Sequence, residues 1–278
     1  MARGHPGVIF IVGGRGRLGQ ALFEQYNPDE VVRVERNVYE HWGADDSTAD
    51  ITAYFEQRAR PGAVVFICSG LLDPKLASEE LNNVNFRLPR NIIQAVSPMG
   101  IRAVTFGTAM EETLTANPYV LSKLALSRFV DGMCNAGTPA LHVRIHTLYG
   151  GGEPSPFMFL GLVLHALRND KPFEMTMGRQ LREYHHVADD AAAIKMLVDR
   201  SVTGVVALNH GLPVTLKSLA EAIFGLAGKS HLLRLGALPE PEQENFTQVY
   251  SRPAVLENIA FRETLTGVSE YMKTLVKA

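Results

Sequence analysis

Apolar positions along this chain fall into short continuous runs separated by stretches with helical spacing, and that alternation predicts the architecture. Val8-Ile9-Phe10-Ile11-Val12 has no polar interruption, the pattern of a strand buried on both faces, as in a parallel sheet. Similar runs follow at residues 31–35, 63–67, 103–106, 140–145 and 205–208. Between them lie helix-forming stretches: Gln20-Ala21-Leu22-Phe23-Glu24, a helix opened by Asp50 as N-cap, and a long helix over 78–95. The long helix carries Leu81, Val84, Leu88, Ile92 and Ala95 on one face, with Asn85 inside it, and a further helix starts at Asn117-Pro118 with proline in its first turn. A repeated strand-helix rhythm demands crossover connections, hence a doubly wound parallel sheet of the α/β class. From Gly150-Gly151-Gly152-Glu153-Pro154 the chain is less regular, with helices expected over 157–167, 188–198 and 216–226.

The first strand breaks into Gly13-Gly14-Arg15-Gly16-Arg17-Leu18-Gly19, with Gly13, Gly16 and Gly19 at three-residue intervals. A chain turning from strand into helix beside a ligand needs positive φ, a bare backbone and close helix-to-strand contact at those places. Such a turn aims the free N–H groups of a helix start at one spot, which suits a pyrophosphate. Glu35 ends the second strand at about the distance from the glycines expected of a ribose-binding acid. Chelation of both adenosine ribose hydroxyls there favours NAD and repels the extra phosphate of NADP. Arg15, Arg17 and Arg36 nevertheless offer partners to a 2′-phosphate. Cys68-Ser69-Gly70, small residues at the end of the third strand, leave room for a dinucleotide to pass.

Composition narrows the partners. The chain has 278 residues, 46% of them hydrophobic, enough for a large core, and a net charge of −2 with no long basic run, which gives no footprint for nucleic acid. No uninterrupted apolar run reaches membrane-spanning length. Residues 1–7 run straight into the first strand with no room for a signal sequence. Two cysteines, Cys68 and Cys134, stand far apart without metal-type spacing and fit a reducing compartment. The chain therefore reads as soluble and cytoplasmic, with no membrane or nucleic-acid partner.

Tyr119 and Lys123 are four residues apart and share a helix face. Tyrosine is a poor acid or base at neutral pH, and a nearby ammonium lowers its pKa, as would the positive ring of an oxidised nicotinamide. Tyr119 then moves a proton to or from a carbonyl or alcohol oxygen, Lys123 also holds the nicotinamide ribose, and the Thr108 hydroxyl at the end of the neighbouring strand bonds the same substrate oxygen. His185 and His186 are adjacent and so point in different directions on a helix or strand. They are read as structural or substrate-facing, with no metal.

Together, Gly13 through Gly19, Asp50-Ile51, Asn85, Thr108, Tyr119-Val120-Leu121-Ser122-Lys123, Arg144 through Gly150, and Arg182 through Asp190 resemble the extended short-chain dehydrogenase/reductase family. More narrowly they resemble its NAD-dependent epimerase/dehydratase branch, which acts on nucleotide sugars. The resemblance implies a Rossmann-type domain over residues 1–150, with a segment near 185–210 returning to it, and a smaller part over 151–278 that binds the nucleotide sugar. It implies Thr108, Tyr119 and Lys123 as catalytic residues. Gly13, Arg15, Gly16, Arg17, Leu18, Gly19, Glu35, Arg36, Asp50, Ile51, Cys68, Ser69 and Gly70 would line the cofactor together with Tyr119 and Lys123. Asn85 and Arg182 would meet substrate, Arg182 as phosphate ligand. A homodimer through residues 78–95 and 118–136 is implied as well.

Two departures bear on the reaction. Where family dehydratases carry an Asp-Glu pair or at least a Glu, this chain has Ala109-Met110, and neither moves a proton; Glu111 and Glu112 follow closely. The link from Thr108 to Tyr119 is short, which removes much of the loop placed over the sugar. Hydride chemistry remains: an NAD(P)-dependent oxidoreductase reducing a nucleotide-linked 4-keto-6-deoxy sugar, or alternatively a 4-epimerase. A binding protein that has lost turnover is the remaining class, and a mere binder needs no Tyr119.

Overall fold

The continuous apolar runs become strands of a parallel sheet, in which the inner strands are covered on both faces and the outer two are half-buried. In the computed structural model, which describes residues 7–73, 75–114 and 117–277, the strands are β1 (Ile9–Val12), β2 (Val31–Val34), β3 (Val64–Ile67), β4 (Arg102–Thr108), β5 (Leu141–Ile145) and a last strand, Gly204–Ala207. β1 and β3 are buried along their whole length. Across the sheet the order is Gly204–Ala207, β5, β4, β3, β1, β2, all parallel. Ile9 stands opposite Val31 on one side and Val64 on the other. The chain leaves β1 outward to β2 and returns to β3 on the far side, so its strand order reverses there. Connections diverging from such a point open a crevice at the carboxyl ends of the strands.

Helices α1 (Arg17–Phe23), α2 (Arg36–Tyr39), α3 (Ala49–Glu56), α4 (Ser78–Asn82), α5 (Leu88–Val96) and α6 (Pro118–Asn135) connect these strands. The single helix expected over 78–95 is one helical run with a widened π turn, Asn83–Arg87, between α4 and α5. Pro89 has no N–H to give the carbonyl four residues back, and a locally wider turn accommodates that gap. α3 begins at Ala49 with Thr48 at its N-cap, which corrects the expectation that Asp50 caps it. Asp50 lies instead in the first turn, where a negative charge suits the positive helix end.

Contacts divide the chain into two units: one runs to Ile145 and resumes over Ala191–Ala207, and the other is His146–Asp190 with Leu208 onward. The first holds the sheet and a core that includes Phe10, Phe55, Ile92 and Leu126. In the second, α7 (Phe159–Arg168), the head of α8 (Val187–Asp199), α9 (Leu216–Leu226) and α10 (Thr264–Lys277) accompany short strand pairs. Thr147–Tyr149 runs parallel to Tyr184–His186, and Leu181–Arg182 antiparallel to Val214–Thr215. Leu164, Leu167, Phe224 and Met272 belong to its separate core. No helix of the described residues is long and apolar enough to cross a membrane.

Candidate active site

The glycine turn makes the crevice at β1 accessible to a ligand. Gly13 has φ +78°, and a Cβ there would lie 2.5 Å from Ser69 N, so only glycine lets the turn close against the end of β3. Gly16 N–H donates to Gly13 O at 3.0 Å and the helix starts at Arg17 with no side-chain cap. Its N-cap is Gly16, which offers the first N–H groups no side-chain acceptor of its own, the arrangement that receives an anion. Gly19 and Leu18 are buried inside α1. A cleft beside the turn is lined by Gly13, Gly14, Arg15, Gly16, Arg33, Val34, Glu35, Arg36 and Tyr39. Arg15 Nη2 donates to Glu35 Oε2 at 2.7 Å, so the acid and one of the arginines expected to compete for the ribose end form a pair.

At the end of β3, Ser69 Oγ is buried without a hydrogen-bond partner among the described residues. An orphaned hydroxyl, uncapped helix N–H groups and an exposed acid make a donor and acceptor set that fits a dinucleotide. Cys68 next to it is inert, since burial pushes its thiol pKa up despite Lys123. Asp50 is exposed, 3.7 Å from His41, whereas Ile51 is buried in the core.

Thr108 ends β4 and starts a 3₁₀ turn, Ala109–Glu112. Its Oγ1 accepts from Met110 N at 3.3 Å, and its own N–H donates to Glu111 Oε1 at 3.0 Å, a capping box. α6 packs against β4 and this turn. Asn117 caps α6 and accepts from Tyr119 N at 2.9 Å, which sets Tyr119 in the first turn. Lys123, one turn on, is buried, and its Nζ lies beside Gly70: a Cβ on that glycine would meet Nζ at 3.5 Å. Burial lowers the Lys123 pKa to about 8, against the opposing pull of Glu111 and Cys68.

Tyr119 departs from expectation. Burial first, then the negative charge of Glu111, raises its pKa above the ordinary value. Desolvation and the buried carboxylate both favour the neutral phenol, so it holds its proton.

Glu111, in the sequence only a leftover acid, is the centre of a buried network. Oε1 faces His142 Nε2 at 3.3 Å, and Oε2 accepts from Arg144 Nε at 2.8 Å. His142 Nδ1 meets Thr105 Oγ1 at 2.8 Å, and Arg144 Nη2 donates to Ser127 Oγ at 3.2 Å. Burial acts to raise the Glu111 pKa, but the bond and charge of His142, the Thr108 N–H and Arg144 hold it below the usual value. A Cβ on Gly107 would stand 2.0 Å from Glu111 Oε1, so this strand-end glycine is what admits the carboxylate. The signal available in the sequence was His142 inside the apolar strand run Ala140–Ile145.

Asn85 is fully buried in the π turn. It accepts from Leu71 N at 2.9 Å and donates to Leu71 O at 3.0 Å and Ser122 Oγ at 3.2 Å, while Ser122 Oγ donates to Tyr119 O at 2.6 Å. Its amide fixes the backbone beyond β3 and braces the first turn of α6. In the second unit Arg182 is paired with Glu244 and donates to Leu181 O at 2.9 Å. His185 and His186 diverge: His186 Nδ1 accepts from Ala188 N at the start of α8, whereas His185 is buried among other titratable side chains.

An open parallel sheet with a glycine turn at its reversal point, a strand-end hydroxyl, and a tyrosine and lysine one turn apart define a Rossmann-type dinucleotide-binding protein. The model of the NAD dependent epimerase/dehydratase family matches residues 9–209, and the chain belongs to that family. Membership makes it an NAD(P)-dependent enzyme. Comparison with curated protein sequences gives no match. Among solved structures, the chain is similar to a UDP-N-acetylglucosamine 4-epimerase from Methanobrevibacter ruminantium M1 in complex with UDP-N-acetylmuramic acid, at 16% identity and TM-score 0.76, covering 98% of this chain and 97% of that one. It is also similar to a dTDP-4-dehydrorhamnose reductase from Clostridium acetobutylicum ATCC 824, at 20% identity and TM-score 0.75, covering 96% and 99%. A dTDP-4-dehydrorhamnose reductase from Bacillus anthracis str. Ames in complex with NADP matches at 16% identity and TM-score 0.77, covering 98% and 100%.

Proposed function

We propose that this protein reduces the keto group of a nucleotide-linked 4-keto-6-deoxy sugar. The observation that carries the direction is the surroundings of Tyr119, where burial and Glu111 keep the proton on the phenol. A protonated phenol suits delivery to a carbonyl oxygen becoming an alcohol, whereas the reverse oxidation needs it as a base. When bound, the nicotinamide cofactor supplies the hydride that the carbonyl carbon receives. Tyr119 gives its proton to the carbonyl oxygen, the Thr108 hydroxyl donates a hydrogen bond to the same atom, and Lys123 returns a proton to the phenolate. The N–H groups at the start of α1 and the Ser69 hydroxyl would hold the pyrophosphate. Glu35 would take the ribose hydroxyls and favour NAD, with NADP the alternative that Arg15, Arg17 and Arg36 would serve. Arg182 would exchange Glu244 for a substrate phosphate.

Dehydration is disfavoured by the same surroundings. Ala109 and Met110 carry no acid or base, and both oxygens of Glu111 are engaged by hydrogen-bond donors. The Glu112 side chain lies outside the described residues. We further infer a homodimer through residues 78–95 and 118–136, on the family resemblance; a monomer in light scattering rules that dimer out.

Thermal-shift screening with UDP, dTDP, GDP and CDP beside NAD and NADP selects the ligands, because binding to the folded state raises apparent stability. A 4-keto-6-deoxy sugar on the selected nucleotide is then offered with reduced cofactor. Tyr119→Phe is expected to lose about 10²- to 10⁴-fold in turnover while cofactor affinity stays unchanged. Equal turnover in that variant overturns the assignment. Conversion of a nucleotide sugar without added cofactor identifies a 4-epimerase instead.

A further inference from the structure

In the second unit a group of side chains that no step of the reduction uses converges on one buried point. His146, Glu183 and His185 are all buried, and one nitrogen or oxygen from each lies within 4.8 Å of the other two. Glu183 Oε2 is 3.2 Å from His185 Nε2 and 3.5 Å from His146 Nε2. Around a tetrahedral zinc with bonds near 2.0 to 2.1 Å, neighbouring ligand atoms stand about 3.3 Å apart.

A carboxylate fixes the imidazole as metal-ligating histidines require. His185 Nδ1 lies 2.7 Å from Asp190 Oδ1, and a proton on Nδ1 leaves the Nε2 lone pair facing Glu183. Two lone pairs facing each other at 3.2 Å need a proton or a cation between them. The Asn209 amide donates to Ser251 O at 3.2 Å, which turns its Oδ1 to within 2.8 Å of His146 Nε2 and adds a fourth electron-pair donor. Glu183 is itself anchored, accepting from His210 N at 2.9 Å and Gly211 N at 3.1 Å.

Charge points the same way. Among the described residues, the ion-pair partners of Glu183 and Asp190 are imidazoles only, with no lysine or arginine. Asp190 Oδ2 is buried without a hydrogen-bond partner among the described residues. A proton shared with His185, which faces both carboxylates, offsets one of the two buried charges, whereas one divalent ion offsets both.

We propose that His146 Nε2, His185 Nε2, Glu183 Oε2 and Asn209 Oδ1 bind one divalent transition-metal ion, zinc by preference, with Asp190 holding His185 from behind. Two imidazoles with oxygen donors suit zinc better than calcium or magnesium, which take all-oxygen sets. Four protein donors closed off from solvent make the site structural rather than catalytic. It ties the strand pair Thr147–Tyr149 and Tyr184–His186 to the loop carrying Asn209 and the head of α8. The reduction does not depend on it.

The test uses the full chain without an affinity tag, stripped with a chelator and then titrated with Co²⁺ and with Zn²⁺. The expected result is one ion per chain, with the visible absorption of cobalt in a nitrogen and oxygen environment, and a raised melting temperature with zinc. His146→Ala is expected to weaken zinc binding by at least about 100-fold and Asp190→Asn by about 10-fold, the range found for ligand supports. If His146→Ala does not fold, the Asp190→Asn affinity and the wild-type stoichiometry decide. Failure of the folded wild-type chain to take up either ion stoichiometrically overturns the proposal and leaves a proton-bridged brace. Uptake unaffected by the variants overturns it too, by placing the ion elsewhere.

Discussion

The two units each bury a glutamate against histidine, one ring at Glu111 and three at Glu183, and they finish it differently. Around Glu111 every demand is met: His142 and the Thr108 N–H face one oxygen, Arg144 supplies a permanent charge to the other, and the His142 ring ends on Thr105. Around Glu183 imidazoles stand where the guanidinium would be, and Asp190 adds a second carboxylate with an oxygen left over. A closed network of this kind braces a turn and sets the field at Tyr119. An open one invites a ligand. Residue types alone do not separate the two; the count of positive charges and orphaned atoms does.

Removing the acid from the closed network should cost the fold most. Glu111→Ala takes the carboxylate away from Arg144, His142 Nε2 and the Thr108 N–H together, at an expected cost of about 3 to 5 kcal/mol in urea unfolding. Glu111→Gln keeps the shape and removes the charge that helps raise the Tyr119 pKa. The alkaline limb of the reduction rate should therefore move to lower pH in that variant. An unmoved limb would show that Glu111 acts on stability alone.

How much of this was legible in the sequence follows from the range of each interaction. The runs at 9–12 and 64–67 announced buried strands because every residue in them is apolar and buried. The glycine turn was legible because its geometry is local. α10 was not anticipated: Gly267 lies inside it, and its packing on α7 and α9 comes from far along the chain. The partners of Glu183 escaped for the same reason. His146 reaches it from a separate segment, with Asn209 behind His146 and Asp190 behind His185, and no spacing rule joins them. Helical spacing does place Lys123 one turn from Tyr119, but the sign of the phenol's pKa change depends on Glu111 and burial, which periodicity does not report.

Lys123 gives the next effect in size. A buried ammonium whose pKa falls from 10.5 to about 8 is an energetic burden at neutral pH. The unfolded chain holds that proton more tightly, so stability should rise with pH between roughly 8 and 10.5. Lys123→Met should stabilise the fold by about 1 to 3 kcal/mol at neutral pH while abolishing turnover. A destabilised variant would mean that the ammonium is held by the fold rather than for the reaction.

The acid side sharpens the closed network by its sign. His142 is lowered from 6.5 by burial, and Glu111 is lowered from 4.5 as His142, the Thr108 N–H and Arg144 together overcome its burial. For His142 the unfolded state takes up the proton first as pH falls below 6.5. For Glu111 the unfolded carboxylate is protonated first below 4.5. Both contributions are present at neutral pH and are lost in acid, about 1.4 kcal/mol for each tenfold difference in proton affinity between folded and unfolded chain. Urea midpoints of the wild type should decline from near pH 6.5 downward, and in His142→Asn the decline should be shallower but not abolished, because burial lowers His146, His186 and His210 as well. A midpoint that stays level to pH 4 removes the network's role.

The smallest expected stability effect lies at the cofactor turn, where the same pairing of acid and arginine occurs in water. Arg15 and Glu35 touch at 2.7 Å, but their side chains are 83% and 54% exposed, so solvent screens the pair. Glu35→Ala should shift stability by less than about 1 kcal/mol. Its effect should appear instead in the choice of cofactor. The substitution frees Arg15 and removes the charge that repels a 2′-phosphate, with Arg36 already lining the same cleft, so affinity should move toward NADP by about 10-fold, equivalent to about 1.4 kcal/mol. Calorimetric titration of both cofactors into wild type and variant measures the ratio directly. An unchanged ratio would detach Glu35 from the ribose and leave the pair as a surface contact, whereas Glu111, with the same residue types around it but out of water, would keep its several kcal/mol.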